Sequence, residues 1–465
     1  MTRSTGAGAK ERAPYGLTSS AGPREERAGA EQRRREDGCF AELAERTSAP
    51  ADERSDPFNT APVVARYRRH LSSGRASLGE MFGGDVEVHS AGPWVRTSSG
   101  RELLNCGGYG VFITGARHPV VLKAVRDQLD RNPVATRLLL EPQAALAAEA
   151  LASVTPAGLD RVHFACSGTE AVEAALKLAR ANGKRHVISM VDGYHGKTLG
   201  ALSVTGKPLF QNPFRPLLPD VTHVPFGDAA ALEAELARHD SDVCVIVEPV
   251  QGEAGVIVPP AGYLRAVSAL CRQHDALLIL DEIQTGLGRL GHWWGADREG
   301  VTPDMLLAGK ALGGGVMPVS ALVATDAAFA PFDRDPFIHT STFSGAPLGM
   351  AAVQGAIAAI RDNDLVARAD RIGRLLHDEL GHLLHELFGD RVATLRGVGL
   401  LIGIELSVDG LAGELLLELM SAGVIANHSL NSDRVLRLTP PAVLDDLEVQ
   451  FLLDAFERAA RAVLV

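Results

Sequence analysis

Lys310 is the residue best placed to do chemistry. It follows the apolar run Met305-Leu-Leu-Ala-Gly and precedes Ala-Leu-Gly-Gly-Gly, with no acidic residue within five positions. A lysine in such a setting either snorkels or has its pKa depressed by burial. The depressed amine attacks carbonyl groups and forms Schiff bases. The chain has only seven lysines, so few others compete for such a role. Two acids close apolar runs: Glu248 ends VCVIVE and Asp281 ends LLILD. Either, taken alone, reads equally well as a helix cap or a surface group. Cys166-Ser167-Gly168-Thr169-Glu170 opens an amphipathic segment. A helix that starts there presents free N–H groups and a positive dipole end, which suits a phosphate. A plain N-cap is the other reading.

Together these features point to pyridoxal 5′-phosphate (PLP). The helix start would hold the phosphate, and Lys310 the aldehyde. Asp281 would keep the pyridine nitrogen protonated, so that the ring draws electrons from the substrate. Tyr194, in Gly193-Tyr194-His195-Gly196, could stack on the ring or simply pack in the core.

The elements that must carry these residues alternate. Helical periodicity covers 170–181, 228–238 and 263–274, while 186–191, 243–247 and 277–280 read as strands. Shorter strands are expected at 305–307 and 321–324. Strands apolar throughout, separated by helices, predict an α/β fold with a mostly parallel sheet covered on both faces. Ligands in such sheets sit beyond the carboxyl ends of strands, where Glu248, Asp281 and Lys310 all fall. Beyond Pro347 the pattern runs through long helices to about 387. A strand pair follows within 392–406, then a helix at 413–420, strands at 424–427 and 435–438, and a last helix over 444–463. We expect a disordered tail over 1–57. A smaller domain would draw on 58–115 and 386–465, and a large cofactor domain on 116–385.

Seven segments in order carry a resemblance: CSGTEAVEAALKLAR, GYHGKTLGALS, VIVEPVQGEAGV, LLILDEIQTGLGRLG, LLAGKALGGGVMP, HTSTFSGAP and RGVGLLIGIEL. From about residue 80 onward the chain resembles the class III aminotransferases, PLP enzymes of fold type I, and within them the putrescine and ornithine-type transaminases. The resemblance implies the following roles. Gly168 and Thr169 bind the phosphate, Tyr194 stacks with His195 beside it, and Glu248 supports the aspartate and ring. Asp281 pairs with the pyridinium, Ile283 backs the ring, and Gln284 donates to the cofactor's phenolic oxygen. Lys310 holds the cofactor and serves as acid and base. Thr342 reaches the phosphate of the neighbouring subunit, which implies a homodimer or a higher homo-oligomer. Arg437 binds substrate carboxylates, and Glu253 masks it when an ω-amine enters.

Three segments depart from the family pattern: Ser344-Gly345-Ala346-Pro347, Gly115-Ala116-Arg117-His118 and Asn105-Cys106. They leave the substrate open. The implied reaction moves an amino group from an amine, diamine or ω-amino acid to an oxo acid such as 2-oxoglutarate or pyruvate by a ping-pong route. Decarboxylation, racemisation, aminomutase chemistry or carbon–carbon bond formation on the same cofactor is the alternative. A non-enzymatic protein on a decayed fold is a third.

The net charge of −11 argues against nucleic acid as a partner, and no apolar run is long enough to span a membrane. Five scattered cysteines without a C-x-x-C pair suit a reducing, cytoplasmic setting. Fifteen histidines without paired ligand spacing predict no metal. Gly200 to Lys207 imitates a phosphate loop, but its glycine spacing is one too long and Pro208 follows the lysine.

Overall fold

A computed structural model describes residues 60–389 and 392–464. The tail expected over 1–57 lies outside the described residues. The described residues divide into two units at Ala76 and Ser77. In the first, Thr60–His70 is a helix without a buried residue.

Three strands come first: Glu87–Ala91 (β1), Trp94–Thr97 (β2) and Glu102–Asn105 (β3). Seven more build the central sheet: Arg161–Ala165 (β4), His186–Met190 (β5), Val221–Val224 (β6), Val243–Val247 (β7), Leu277–Asp281 (β8), Met305–Ala308 (β9) and Ser320–Ala324 (β10). Their order is β4-β10-β9-β8-β7-β5-β6. The pairs among β9, β8, β7, β5 and β6 are parallel, whereas β10 runs antiparallel to both β4 and β9. The sheet is therefore mostly parallel, with one reversed strand.

The apolar runs are continuous because both faces are buried. Val243, Val245 and Val247 enter one core, while Cys244 and Ile246 enter the other. β8 divides in the same way, with Leu278 and Leu280 on one face and Ile279 on the opposite one. Each such buried side chain contributes about 1.5–3 kcal/mol. The second core also holds seven residues of the helix Gly168–Ala181, from Ala171 to Ala179. Alternation along β8 then puts Asp281 on the face of Ile279, the face that this helix covers. This is how the fold sets Asp281 and the start of that helix on one side of the sheet.

The two strands that apolar continuity did not mark, β4 (RVHFA) and β6 (VTHV), are the edges of the sheet. Edge strands are half-solvated, so Arg161, His163, Thr222 and His223 are tolerated there.

Beyond the helices Pro347–Asp362 and Leu365–Phe388 lie Val392–Val398 (β11), Leu401–Leu406 (β12), Val424–Ile425 (β13), Asn427–Ser429 (β14) and Ser432–Leu438 (β15). The strand expected over 424–427 is split between two sheets. β13 joins β1, β2 and β3 by parallel pairing with β3, whereas β14 pairs with β15 in the sheet β11-β12-β15-β14.

Candidate active site

A cavity of about 350 Å³ opens at the carboxyl ends of the parallel strands. Nine of the residues singled out from the sequence line it: Gly168, Thr169, Tyr194, His195, Glu248, Asp281, Ile283, Gln284 and Lys310. Gly196 and Lys197 line it as well.

Lys310 starts a 3₁₀ turn, Lys310–Gly313, directly after β9 and Gly309. Its φ of +44° lies in the left-handed region. A non-glycine residue there costs about 1–3 kcal/mol, a strain typical of functional positions. Burial pushes the lysine's pKa down; the Glu253 carboxylate opposes this, and the Arg437 cation reinforces it.

Asp281 accepts a hydrogen bond from His195 Nδ1 at 2.7 Å, and its second oxygen accepts from the Ile283 N–H at 3.1 Å. Burial by itself would lower the His195 pKa, but the hydrogen bond and charge of Asp281 outweigh it and hold the imidazole above its ordinary value. Glu248 accepts from the backbone N–H groups of Tyr194 (2.9 Å) and Gly252 (3.3 Å). Burial pushes its pKa up to about 7. The hydrogen-bonding support of Asp281 is thus His195, while Glu248 braces the segments on either side.

The helix start is built for a close approach. Gly196 has φ +125°, and a Cβ there would sit 2.6 Å from Thr169 Cβ. A Cβ on Gly168 would sit 2.9 Å from Ile283 Cδ1. Thr169 Oγ1 meets Thr198 Oγ1 at 2.7 Å, and Thr198 Oγ1 donates to Glu173 at 2.5 Å. Gln284 packs so closely over Gly252 that a Cβ there would lie 2.6 Å from its Cδ. Gln284 Nε2 and His195 Nε2 are buried and have no protein partner.

Arg437 and Glu253 stand beside the cavity. Gly252 links the two: it packs on Gln284, and its carbonyl accepts from Arg437 Nη1 at 3.2 Å. Arg437 Nη1 pairs with Glu253 Oε1 at 2.7 Å, with both side chains buried. Arg437 Nε and Nη2 are buried and have no partner. Thr342 does not line the cavity. It is exposed, in the turn Ser341–Ser344 ahead of the helix Pro347–Asp362.

Sequence reasoning passed over several residues. Gly196 and Lys197 stood inside a quoted motif, but nothing in the linear pattern marked them. Gly110 approaches the site from a distant segment, its missing Cβ 3.9 Å from Lys310 Cδ. Glu282 is buried, and its pKa is pushed up to about 7 by that burial. Its carboxylate accepts from Gly295 N (2.9 Å) and Ala296 N (2.7 Å), which fixes the segment that follows Asp281. Trp294 in that segment is fully buried, so it is core. His186 joins Glu235 and His239, themselves four residues apart, and the three gather their ligand atoms within 4.8 Å of one another. This group lies at the first residue of β5, the end of the strand opposite the cavity.

The class III aminotransferase family model matches residues 85–460. Among solved structures, the ornithine aminotransferase of Toxoplasma gondii is 31% identical, with a TM-score of 0.77 over 86% of this chain and 98% of its own. An (S)-enantioselective ω-transaminase from Thermomicrobium roseum is 28% identical, with a TM-score of 0.80 over 88% of this chain and 100% of its own. An acetylornithine aminotransferase from Elizabethkingia anophelis is 28% identical, with a TM-score of 0.72 over 84% and 99%. The chain belongs to the class III aminotransferases, PLP-dependent enzymes of fold type I.

The residues present fit that cofactor. A free amine faces the cavity, and the start of a long helix, with its glycine, offers N–H groups to a phosphate. Gln284 Nε2 is a buried donor without an acceptor, as a site for an anionic oxygen requires.

Proposed function

We propose that this enzyme transfers an amino group from an amine, diamine or ω-amino acid to an oxo acid, with 2-oxoglutarate or pyruvate as the acceptor class, in two half-reactions at one site. The observation that carries the substrate reading is the buried Arg437–Glu253 pair beside Lys310, at 2.7 Å. A guanidinium suits a bidentate carboxylate contact, and two of its nitrogens have no partner. We assign Arg437 to the carboxylate of the oxo acid. Glu253 neutralises that cation when an uncharged or cationic end enters instead.

When bound, PLP supplies an electrophilic carbon and an electron-withdrawing ring. The chain's own residues do the rest. In our reading Gly168 and Thr169 hold the phosphate with backbone N–H groups. Ile283 and Tyr194, which both line the cavity, would pack against the ring. Asp281 faces the pyridine nitrogen, with His195 Nδ1 directing its proton to the aspartate. Gln284 Nε2 donates to the phenolic oxygen. Lys310 Nζ, its basicity lowered by burial, would hold the cofactor's aldehyde and would be placed to take a proton from the substrate's α-carbon and return it. Lys310 reaches the cavity from a turn closed by hydrogen bonds from Leu312 N to the Gly309 carbonyl and from Gly314 N to that of Ala311.

The same reading makes the active unit a homodimer, in which Thr342 of one subunit reaches the phosphate site of the other. In support, Leu138, Leu139, Leu140, Phe337 and Phe343 are all exposed. Arg137 donates to the Ser341 carbonyl and so holds these two apolar segments together. An uncovered apolar patch of this kind marks an interaction surface.

The test is a half-reaction. The PLP-loaded enzyme is mixed with putrescine, ornithine or 1-phenylethylamine in turn, and the cofactor product is separated by chromatography. Stoichiometric pyridoxamine 5′-phosphate supports the reading, and adding 2-oxoglutarate restores PLP. Exchange of an α-proton without pyridoxamine 5′-phosphate would contradict it.

A further inference from the structure

The turn between β14 and β15 grips Glu253. Glu253 Oε1 meets Arg437, while its Oε2 accepts from the Leu430 N–H at 3.1 Å. The Glu253 carbonyl accepts from Asn431 N at 3.0 Å. The turn is itself tied by two hydrogen bonds to the start of the Tyr194 segment and to its neighbour. Asn431 Nδ2 donates to the Asp192 carbonyl at 2.8 Å, and Lys207 Nζ donates to the Asn431 carbonyl at 3.1 Å. Lys207 also pairs with the Asp192 carboxylate at 3.0 Å. Asp192 and Gly206 are joined by a backbone hydrogen bond of 2.9 Å, so Lys207 and Asp192 stand on one rigid frame.

We propose that this turn is a latch: Lys207 and Asn431, which touch neither cofactor nor substrate, hold Glu253 on Arg437 and thereby set how readily the site admits a carboxylate. The proposal rests on the reading of Arg437 as the carboxylate-binding residue. Each oxygen of Glu253 has its own partner, so moving the carboxylate off Arg437 also strains or breaks the bond to Leu430. The cost of that movement depends on how firmly Leu430 is kept in place. A ligand that needs the open pair binds more weakly by the fraction of molecules in which the pair is open. Loosening the latch enlarges that fraction. A ligand that leaves the pair closed is indifferent to it. The latch is therefore a positioning device for substrate choice: it favours amine ends and makes dicarboxylates pay an opening cost.

Lys207 and Asp192 are partly exposed, which limits the effect of any one contact. Removing a side-chain hydrogen bond of this kind changes an equilibrium by about threefold to tenfold. Lys207→Met and Asn431→Ala are made in the PLP-loaded enzyme. Glutarate, a dicarboxylate that lacks an oxo group, and n-butylamine, which has no carboxylate, are titrated by the change in cofactor absorbance. Both variants are expected to bind glutarate about threefold to tenfold more tightly than wild type and n-butylamine within about twofold of it. Lys207→Arg keeps the cation and is expected to behave as wild type. Unchanged glutarate affinity in both variants, alongside weakened binding in Arg437→Gln, would overturn the latch alone. Wild-type glutarate affinity in Arg437→Gln would remove the carboxylate reading and the latch with it. Weaker binding of both probes in the latch variants, the sign of a site that has merely loosened, would overturn the latch as well.

Discussion

Asp281→Asn replaces a carboxylate with an amide of nearly the same shape. In the unliganded protein Asp281 takes two hydrogen bonds, from His195 Nδ1 at 2.7 Å and from Ile283 N at 3.1 Å. An amide keeps one of them with its oxygen. If the bond to Ile283 is kept, the –NH₂ group points at His195 Nδ1. The imidazole must then move its proton to Nε2, which is buried without a partner. A charge-assisted bond is worth about 1.5–3 kcal/mol and a neutral one about 0.5–1.5, so the exchange costs about 1–1.5 kcal/mol. His195 is 2% exposed, and its pKa is raised only because Asp281 outweighs burial. In the variant burial prevails and the pKa falls below the ordinary value. The sign in stability follows. A raised folded pKa stabilises fully below the unfolded value, about 6.5, and the gain is lost as pH rises through the folded value. The variant should therefore be less stable by about 1–1.5 kcal/mol near pH 6, with the gap closing at higher pH. Histidine-labelled protein titrated by NMR reads the imidazole directly, and urea unfolding at several pH values reads the linkage. With PLP bound, turnover should fall about 100-fold or more while the cofactor is still retained. A His195 that titrates alike in both proteins, or a fully active variant, would refute this reasoning.

Other outcomes follow from the same geometry. Gly196→Ala puts a Cβ against Thr169 at a position with φ +125°, so PLP affinity should fall at least about tenfold in a fluorescence titration. Unchanged affinity would place the phosphate elsewhere. Glu248 has its folded pKa raised to about 7, so the unliganded protein loses stability as pH rises from about 4.5 to 7. Glu282 contributes a like slope, so Glu248→Gln should reduce the slope by its own share and make the protein more stable than wild type at pH 8, by up to about 3 kcal/mol; an unaltered slope would contradict the burial argument. Arg437→Gln leaves Glu253 buried without its cation, which should cost about 3–5 kcal/mol in unfolding, and Glu253→Gln in the same chain should recover much of that loss. Serine at Leu138, Leu139 and Leu140 together should shift the protein toward monomer in light scattering, and an unchanged mass would place the subunit contact on another face.

The parts of the fold that were legible in the sequence are those where physics leaves one option. β7 is buried on both faces, so VCVIV has to be apolar throughout, and its length excludes a helix of ordinary size. The edges β4 and β6 have solvent on one side, and RVHFA and VTHV lose the signal. The break at Ala426, which sends β13 and β14 into different sheets, depends on partners some 320 residues earlier and a few residues later, and no local pattern records it. In the site, Lys310, Asp281 and Glu248 were visible because each is a polar residue ending an apolar run. The partners of these residues were less visible. That His195, rather than Glu248, bonds Asp281 follows from how the 193–196 turn lies over the sheet. Gly110 and Gly252 matter by the space they leave, which only packing reveals. Glu235 and His239 are four residues apart, but His186 joins them only through tertiary structure, which is why the spacing of histidines gave no sign of the group.

The central claim is that Lys310 carries the cofactor. The purified protein is incubated with PLP, reduced with borohydride, digested and analysed by peptide mass spectrometry. The account predicts a reduced pyridoxyl adduct on the peptide containing Lys310, and its absence from a folded Lys310→Ala protein treated in the same way. An adduct on another lysine, or the same adduct yield and turnover in Lys310→Ala, would contradict it.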